Sequence, residues 1–408
     1  MPETGLYALQ KINDWINAEK KTYNLRIFAE NNLYICRIFF FNMRHIYIWQ
    51  YKNWTDFQWD SSKIEKLLGE VRNIQGKVSG TFSMLGFEAQ SKTALEAMTQ
   101  DVVMSSEIEG ERLRADSVRS SLARHLGLDY EGLPESDHYI EGVVQVTIDA
   151  VTNCNKPLTA ERLFDWHTAL FPYGRSGAYK ITVANWRQGD DAMLIVSGAM
   201  GKEKIHYRAP DSCQVPEEME KFLDWINTET QTDSILKAAI AHLWFVAIHP
   251  FDDGNGRLTR TITDLLLARS DNMQHRYYSL SAEIRNNRKE YYDILERTTC
   301  GKPEITEWLI WFLNCTKQAM EKSLEKVKVI AEKTRFWDKH KDTQLNERQR
   351  KILNMLWDEF FGKLTTSKWA KICKCSQDTA LRDIHDLIEK GILKPSEASG
   401  RSKNYILA

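Results

Sequence analysis

The chain has 408 residues, 42% hydrophobic and 27% charged, with 55 Lys and Arg against 56 Asp and Glu and a formal net charge of −1. That composition is globular, leaves room for two to three domains, and gives no global pull toward nucleic acid or an anionic membrane. No apolar run reaches the length of a membrane span, and seven scattered cysteines without paired metal-ligand spacing suit a reducing, cytoplasmic setting rather than a zinc site.

Helical periodicity dominates from residue 61 to 341 and strand signals are few, so the fold class expected is mainly α. The first forty-odd residues stand apart. Asn32–Phe41 is apolar but short and interrupted by Arg37, and no small-residue cleavage site follows it. The text changes at Met43, which reads as the natural start, with 1–42 an upstream extension outside the fold and 43–95 an N-terminal helical domain. A helical region from about Lys92 to Leu122 contains Ser105-Ser-Glu-Ile-Glu109-Gly110, by itself an ordinary acidic turn. Met193–Val196 and Ser197–Pro210 pattern as the halves of a β-hairpin with a Gly-containing turn. Gly198-x-x-Gly201-Lys202 lacks the spacer and the Ser or Thr of a phosphate-binding P-loop.

Ile235–Ile248 is apolar nearly all round, a buried helix that delivers His249 at its C-terminal end. His242 within it reads as a satisfied core histidine. The next twelve residues, His249-Pro-Phe-Asp-Asp-Gly-Asn-Gly-Arg-Leu-Thr-Arg260, are the densest in chemistry. His249 can hold or release a proton near neutral pH. Asp253 is a hard oxygen ligand of the kind Mg2+ prefers. Gly254, Asn255 and Gly256 can turn tightly, bare backbone N–H groups and open a helix, which is how anions are cradled. Arg257 and Arg260, three apart, project from one helix face. Together these residues describe a nucleotide-handling site.

Farther on, Leu280–Leu295 carries Asn286, Asn287, Tyr291 and Tyr292, and a long helix from Ile305 ends near Lys341, its part over 326–344 serving as a connector. After Leu345 come helices at Glu347–Phe361, Thr366–Lys371 and Gln377–Lys390, then two short strands around Ser399–Lys403. This C-terminal part, 345–408, resembles a winged helix-turn-helix, a family whose usual business is DNA. Its expected recognition helix carries Asp378, Asp383, Asp386 and Glu389 against Arg382 and Lys390, and phosphate contact needs the opposite balance. Lys368, Lys371, Lys374, Arg401 and Lys403 leave weak DNA binding open, but a protein-docking or homodimer-forming role is favoured.

The stretch from His249 to Arg260 resembles the Fic signature, H-x-F-x-[DE]-G-N-G-R-x-x-R, at every specified position. The resemblance implies a Fic-type helical core, over 96–325, and a protein adenylyltransferase that moves AMP from ATP to a Tyr, Thr or Ser hydroxyl of a target protein or of itself. It implies His249 as general base and Mg2+ on Asp253, with Asp252, one residue out of register, a solvated loop acid. It places Gly254, Asn255, Gly256 and Arg257 on the phosphates, and the pair Tyr291 and Tyr292, Tyr291 first, with Asn286 or Asn287, facing the adenine and ribose. The hairpin becomes a flap in which Leu194, Ile195 and Val196 clamp the target by strand addition. The segment from Met43 resembles a domain of unknown function that often precedes Fic domains. Ser105, Glu109 and Gly110 match the family's inhibitory motif, [ST]-x-x-x-E-[GN], which implies that Glu109 pairs with Arg260 and occupies the volume the γ-phosphate needs. The alternative reading is an ATP-sensing transcription regulator that binds an operator through the winged helix.

Overall fold

The structure is a computed structural model and describes residues 46–128, 138–198, 203–273, 276–358, 360, 362–396 and 404–408. Residues 1–42 and the expected wing around Ser399–Lys403 therefore lie outside the described residues. Fourteen α-helices and three two-stranded antiparallel sheets make up the described chain, which is mainly α as expected. The chain divides into two compact units, Met1–Ser323 and Leu324–Ala408.

In the first unit, residues 46–60 run as an aromatic strap that leads to α1 (Ser61–Ser83). Trp54 and Phe57 are buried and meet Trp244 edge-on, with ring centroids 6.0 and 5.8 Å away. α2 (Phe87–Ile108) and α3 (Ala115–His125) follow. The expected single helical region from Lys92 to Leu122 is thus two helices. The break falls at Glu109, which caps α2, and at Gly110, whose φ of +87° is a left-handed conformation that glycine adopts without a Cβ penalty. α4 (His138–Thr152) and α5 (Ala160–Leu170) pack against each other, followed by β1 (Arg175–Ser176), β2 (Tyr179–Lys180), and the hairpin β3 (Leu194–Ser197) and β4 (Lys204–Arg208).

α6 (Val215–Thr228) precedes α7 (Ser234–Ile248), the centre of the unit. Asp233 caps α7 through its Oδ1, which accepts from the N–H groups of Ile235 and Leu236 at 2.9 and 3.3 Å. The all-round apolar sequence of α7 is explained by burial of nearly every residue, His242 included. His242 is the satisfied core histidine expected: its ring nitrogens lie 2.9 Å from Thr263 Oγ1 and 2.9 Å from Tyr291 Oη. α8 (Asn255–Asp271) packs along α7, and α9 (Leu280–Asn286) packs on α2. α10 (Arg288–Thr299) and α11 (Thr306–Lys339) complete the set, α11 being the long helix expected from Ile305.

In the second unit, α12 (Glu347–Asp358), α13 (Thr366–Cys373) and α14 (Gln377–Glu389) enclose Ile352, Leu353, Trp369, Ile384 and Leu387. β5 (Leu393–Pro395) pairs with β6 (Tyr405–Leu407). Not all of the acids of α14 face outward, contrary to the expectation from its sequence. Asp383 is buried and accepts from Arg348 and Asn346, while Asp386 pairs with Lys390 at 2.5 Å and accepts from Gln349. Period 3.6 turns both acids toward α12; Asp383 is withdrawn from the outer face, which shows Asp378, Leu381, Arg382, His385 and Glu389, while the Asp386 side chain stays 43% exposed at its edge.

Candidate active site

The site is the junction of α7 and α8. α7 ends at His249, which holds a left-handed conformation (φ 53°, ψ 59°) and donates its backbone N–H to Phe245 O at 3.0 Å. A non-glycine residue in that region marks a backbone held by its surroundings. Arg187, buried and unremarked in the sequence, does the holding. Its Nε donates to His249 O at 2.8 Å, its backbone N–H donates to Pro250 O at 2.8 Å, and its Nη2 donates to Pro210 O.

The tautomer of His249 follows from one contact. Ring Nδ1 lies 3.3 Å from Val246 O, and a carbonyl only accepts, so Nδ1 carries the hydrogen and Nε2 keeps its lone pair. Burial drives the ring pKa down to about 4, against the opposing pull of the Val246 carbonyl, so the imidazole is neutral at pH 7. It is a base with its free lone pair on the outer nitrogen.

Past His249 the loop is stitched to itself. Asn255 is buried, accepts Phe251 N–H at 2.9 Å and donates to Phe251 O at 2.8 Å. Both ends of its amide are thus spent on closing the loop, and the side chain does not face a phosphate as expected; it shapes the turn instead. His167 on α5 stacks on Phe251 with centroids 4.2 Å apart, and its Nε2 lies 3.1 Å from Asp253 O. Asp252 is likewise corrected: rather than a solvated acid, it accepts the Thr182 N–H at 2.8 Å and ties the segment after β2 to the loop.

Gly254 has a φ of +82°, and a Cβ there would meet Phe171 Cε2 at 2.7 Å, so the turn requires glycine both conformationally and sterically. α8 starts at the next residue. Its first N–H groups lack intrahelical acceptors and its dipole favours an anion at that end. The anion present is Glu109. A Cβ on Gly256 would lie 2.1 Å from Glu109 Oε1, so the missing side chain is what lets the carboxylate reach the helix end. Oε1 also accepts Arg260 Nη2 at 2.8 Å. Arg260 is 2% exposed and has two further acceptors, Ser105 Oγ at 2.8 Å and Ser105 O at 2.9 Å. Glu109 thus sits in an ion pair with Arg260, Ser105 adds two contacts to Arg260 that the sequence did not indicate, and Gly110 makes the turn behind them.

Arg257 is also buried. Its Nη1 lies 3.2 Å from Glu111 Oε2 and 2.5 Å from Tyr139 Oη, and its guanidinium sits 4.9 Å above the Phe171 ring. Tyr139 donates its hydroxyl to Glu111. No motif in the sequence marks Glu111, Tyr139 or Phe171 as part of a site.

Asp253 is partly exposed, accepts Gly254 N–H through Oδ1 at 2.6 Å, and accepts the Ser176 hydroxyl through Oδ2. Among the described residues, no group of three or more His, Cys, Asp or Glu forms a ready-made metal cage. A single carboxylate is nonetheless the donor set that Mg2+ uses when it travels with nucleotide phosphates. The residues present fit such an ion.

Two expected contacts do not materialise. Tyr291 is 2% exposed with its hydroxyl on His242, so it is core rather than open to adenine. Asn287 donates its amide to Glu283 O at 3.1 Å within its own turn. Helical spacing turns Tyr291 inward and Tyr292 outward; Tyr292 is 39% exposed, with Arg288 5.3 Å over its ring. In the hairpin, Leu194 pairs with Arg208 and Ile195 with Tyr207, the register slips between Ile195 and Val196, and Val196 is exposed. Tyr207 anchors the hairpin by donating its hydroxyl to Ala247 O at 2.8 Å. His206 Nδ1 lies 2.6 Å from Glu296 Oε2 on α10.

Comparison with known proteins places these features. Residues 47–128 match a domain of unknown function, DUF4172, and residues 157–267 match the Fic/DOC family. A protein adenylyltransferase Fic of Culex quinquefasciatus is 24% identical over 233 residues, 55% of this chain and 41% of that protein. Protein adenylyltransferase fic-1 of Caenorhabditis elegans is 45% identical over 58 residues, 14% of this chain and 11% of that protein. The chain thus spans less than half the length of these curated relatives. A crystal structure of a Fic family protein from Desulfovibrio desulfuricans G20 shares the fold with a TM-score of 0.50 at 19% identity, over 85% of this chain and 96% of that one. The segment that matches the Fic/DOC family, residues 157–267, contains His249, Asp253, Arg257 and Arg260.

Proposed function

We propose that this protein is an autoinhibited adenylyltransferase that moves AMP from ATP to a Tyr, Thr or Ser hydroxyl of a target protein or of itself. The observation that carries the reading is a neutral His249, basic at Nε2, at the entrance to a helix N-terminus flanked by two buried arginines. In the proposed reaction, His249 Nε2 takes the proton of the incoming hydroxyl as its oxygen bonds to the α-phosphorus. The bond from phosphorus to the bridging oxygen breaks, and pyrophosphate leaves with its electron pair. The backbone amides at the start of α8 hold phosphate oxygens, and Arg257 takes the β- or γ-phosphate bidentately. Asp253 would hold Mg2+, which offsets charge growing on the leaving group when bound.

β3 supplies the edge on which an extended target segment adds as a strand, fixing the hydroxyl through main-chain bonds. Tyr292, exposed beside the arginines, replaces Tyr291 as the aromatic that meets the nucleoside. Glu109 is the brake: its carboxylate sits on Arg260 and against Gly256, where a γ-phosphate would otherwise be received, and a misplacement of about 1 Å costs on the order of a hundredfold in rate. The C-terminal unit is read as a winged helix, and the near balance of Asp378, Arg382 and Glu389 on the outer face of α14 favours a protein partner over DNA.

The test uses two labels. Incubation with ATP labelled on the α-phosphate marks protein if adenylyl transfer occurs, whereas label on the γ-phosphate marks it only if phosphoryl transfer occurs. Transfer of γ-label alone, or of neither label by a Glu109→Gly variant that binds ATP, overturns the reading.

A further inference from the structure

The inhibitory helix presents two carboxylates to the nucleotide site, not one. Glu109 and Glu111 flank Gly110, and the left-handed turn there reverses the chain so that both acids face α8. The turn is rigid: the backbone N–H groups of Glu109 and Glu111 both donate to Ser106 O, at 3.1 and 3.0 Å, and that of Gly110 donates to Glu107 O at 3.0 Å. Across from it, Arg257 and Arg260 stand one helical turn apart on α8. The pairing is one to one. Glu109 Oε1 lies 2.8 Å from Arg260, and Glu111 Oε2 lies 3.2 Å from Arg257.

Tyr139 on α4 closes the second pair. Its hydroxyl donates to Glu111 and accepts from Arg257 Nη1 at 2.5 Å, so one oxygen bridges acid and base. Burial, with the Glu111 carboxylate, keeps this phenol protonated well above its ordinary range even though Arg257 pulls the other way. The arrangement leaves Arg257 5% exposed, its Nη1 held by Glu111 and Tyr139 and its face covered by Phe171, while its buried Nε has no partner.

We propose that Glu111 and Tyr139 form a second lock on the nucleotide site, independent of Glu109, that holds Arg257 away from the β- and γ-phosphates. This inference rests on the adenylyltransferase reading for the identity of the ligand. Its consequence is a division of labour. Removal of Glu109 frees Arg260 and corrects the phosphate pose, but the nucleotide still has to displace Glu111 to reach Arg257. Glu111 is 42% exposed, so the competition is screened by water and the second lock is weaker than a fully buried pair. It acts on nucleotide affinity, because Arg257 binds the phosphates in the ground state as well as during transfer.

The experiment measures ATP binding by calorimetry in the full chain for wild type, Glu111→Gln, Tyr139→Phe, Glu109→Gly and Glu109→Gly/Glu111→Gln, with thermal denaturation to verify folding. The proposal expects the double variant to bind ATP on the order of fivefold more tightly than Glu109→Gly, the ceiling for a partly exposed pair. In turnover, the gain appears as a lower KM for ATP with kcat little changed. Tyr139→Phe raises affinity over wild type by less than Glu111→Gln does, since it removes the bridge and leaves the direct pair. Equal affinity of Glu109→Gly and the double variant, both folded, overturns the second lock and leaves the adenylyltransferase reading intact. Absence of ATP binding in all five proteins overturns both.

Discussion

Replacement of Glu109 by Ala separates the stability of the resting site from its readiness to bind. In the native chain, Arg260 is 2% exposed and Glu109 33% exposed. Breaking a fully buried ion pair from one side costs about 3–5 kcal/mol, because a charge is left without compensation. Here the cost is smaller for two reasons: water reaches the carboxylate, and Arg260 keeps Ser105 Oγ and Ser105 O as acceptors. The variant is therefore expected to be about 1–2 kcal/mol less stable, with α2 otherwise unaffected because Glu109 (φ −83°, ψ 2°) has a conformation open to Ala. For a unit of this size that lowers the melting midpoint by roughly 2–4 °C. Saturating ATP closes most or all of that gap. A ligand that binds tenfold more tightly to the variant returns about 1.4 kcal/mol more stability to it than to wild type. The assay is thermal denaturation by circular dichroism with and without Mg-ATP. A variant as stable as wild type without nucleotide, whose midpoint ATP raises by the same increment, would refute the claim that Glu109 and phosphate compete for one place.

Three further outcomes are expected. In the Glu109→Gly background the transfer rate stays level from pH 8 down to about pH 5.5, since His249, with its pKa lowered to about 4, is still unprotonated there; an initial-rate profile falling by half near pH 6.5 would mean an unperturbed imidazole. Gly142→Ala loses on the order of 1–3 kcal/mol in denaturant unfolding, because its Cβ would lie 2.0 Å from Ala169 O, where α4 and α5 touch backbone to backbone. His242, lowered to about 3 by burial, has a folded pKa below its unfolded value near 6.5. It takes up a proton on unfolding between those limits, so its contribution is complete above pH 6.5 and fades as pH falls. The stability difference between wild type and His242→Gln should then shrink by about 2 kcal/mol from pH 7 to pH 5, measured by urea titration at each pH.

Much of the site is legible in the sequence where neighbours in space are neighbours in the chain. The apolar run of α7, the positive-φ residues around Gly254 and the three-residue spacing of Arg257 and Arg260 are local properties, and the structure keeps them. Contact of Glu109 with Arg260 spans 151 residues and was reached only through the family motif. Glu111, Tyr139 and Arg187 carried no such motif. They become meaningful once the turn at Gly110, α4 and the segment before the hairpin are folded onto the loop. Tyr291 shows the opposite error: a residue type suited to a nucleoside, placed by helical phase on the core side. Asn255 matches the motif, yet its amide is consumed by the loop it shapes.

The most direct test of the central claim follows label from the α-phosphate of ATP into protein, with Mg2+ present, in wild type, Glu109→Gly and Glu109→Gly/His249→Ala. Label is expected chiefly in Glu109→Gly, as a mass increase of one AMP, and its loss in the double variant would assign the base to His249. Equal labelling of wild type and Glu109→Gly would contradict the brake, and labelling that survives loss of His249 would contradict the mechanism.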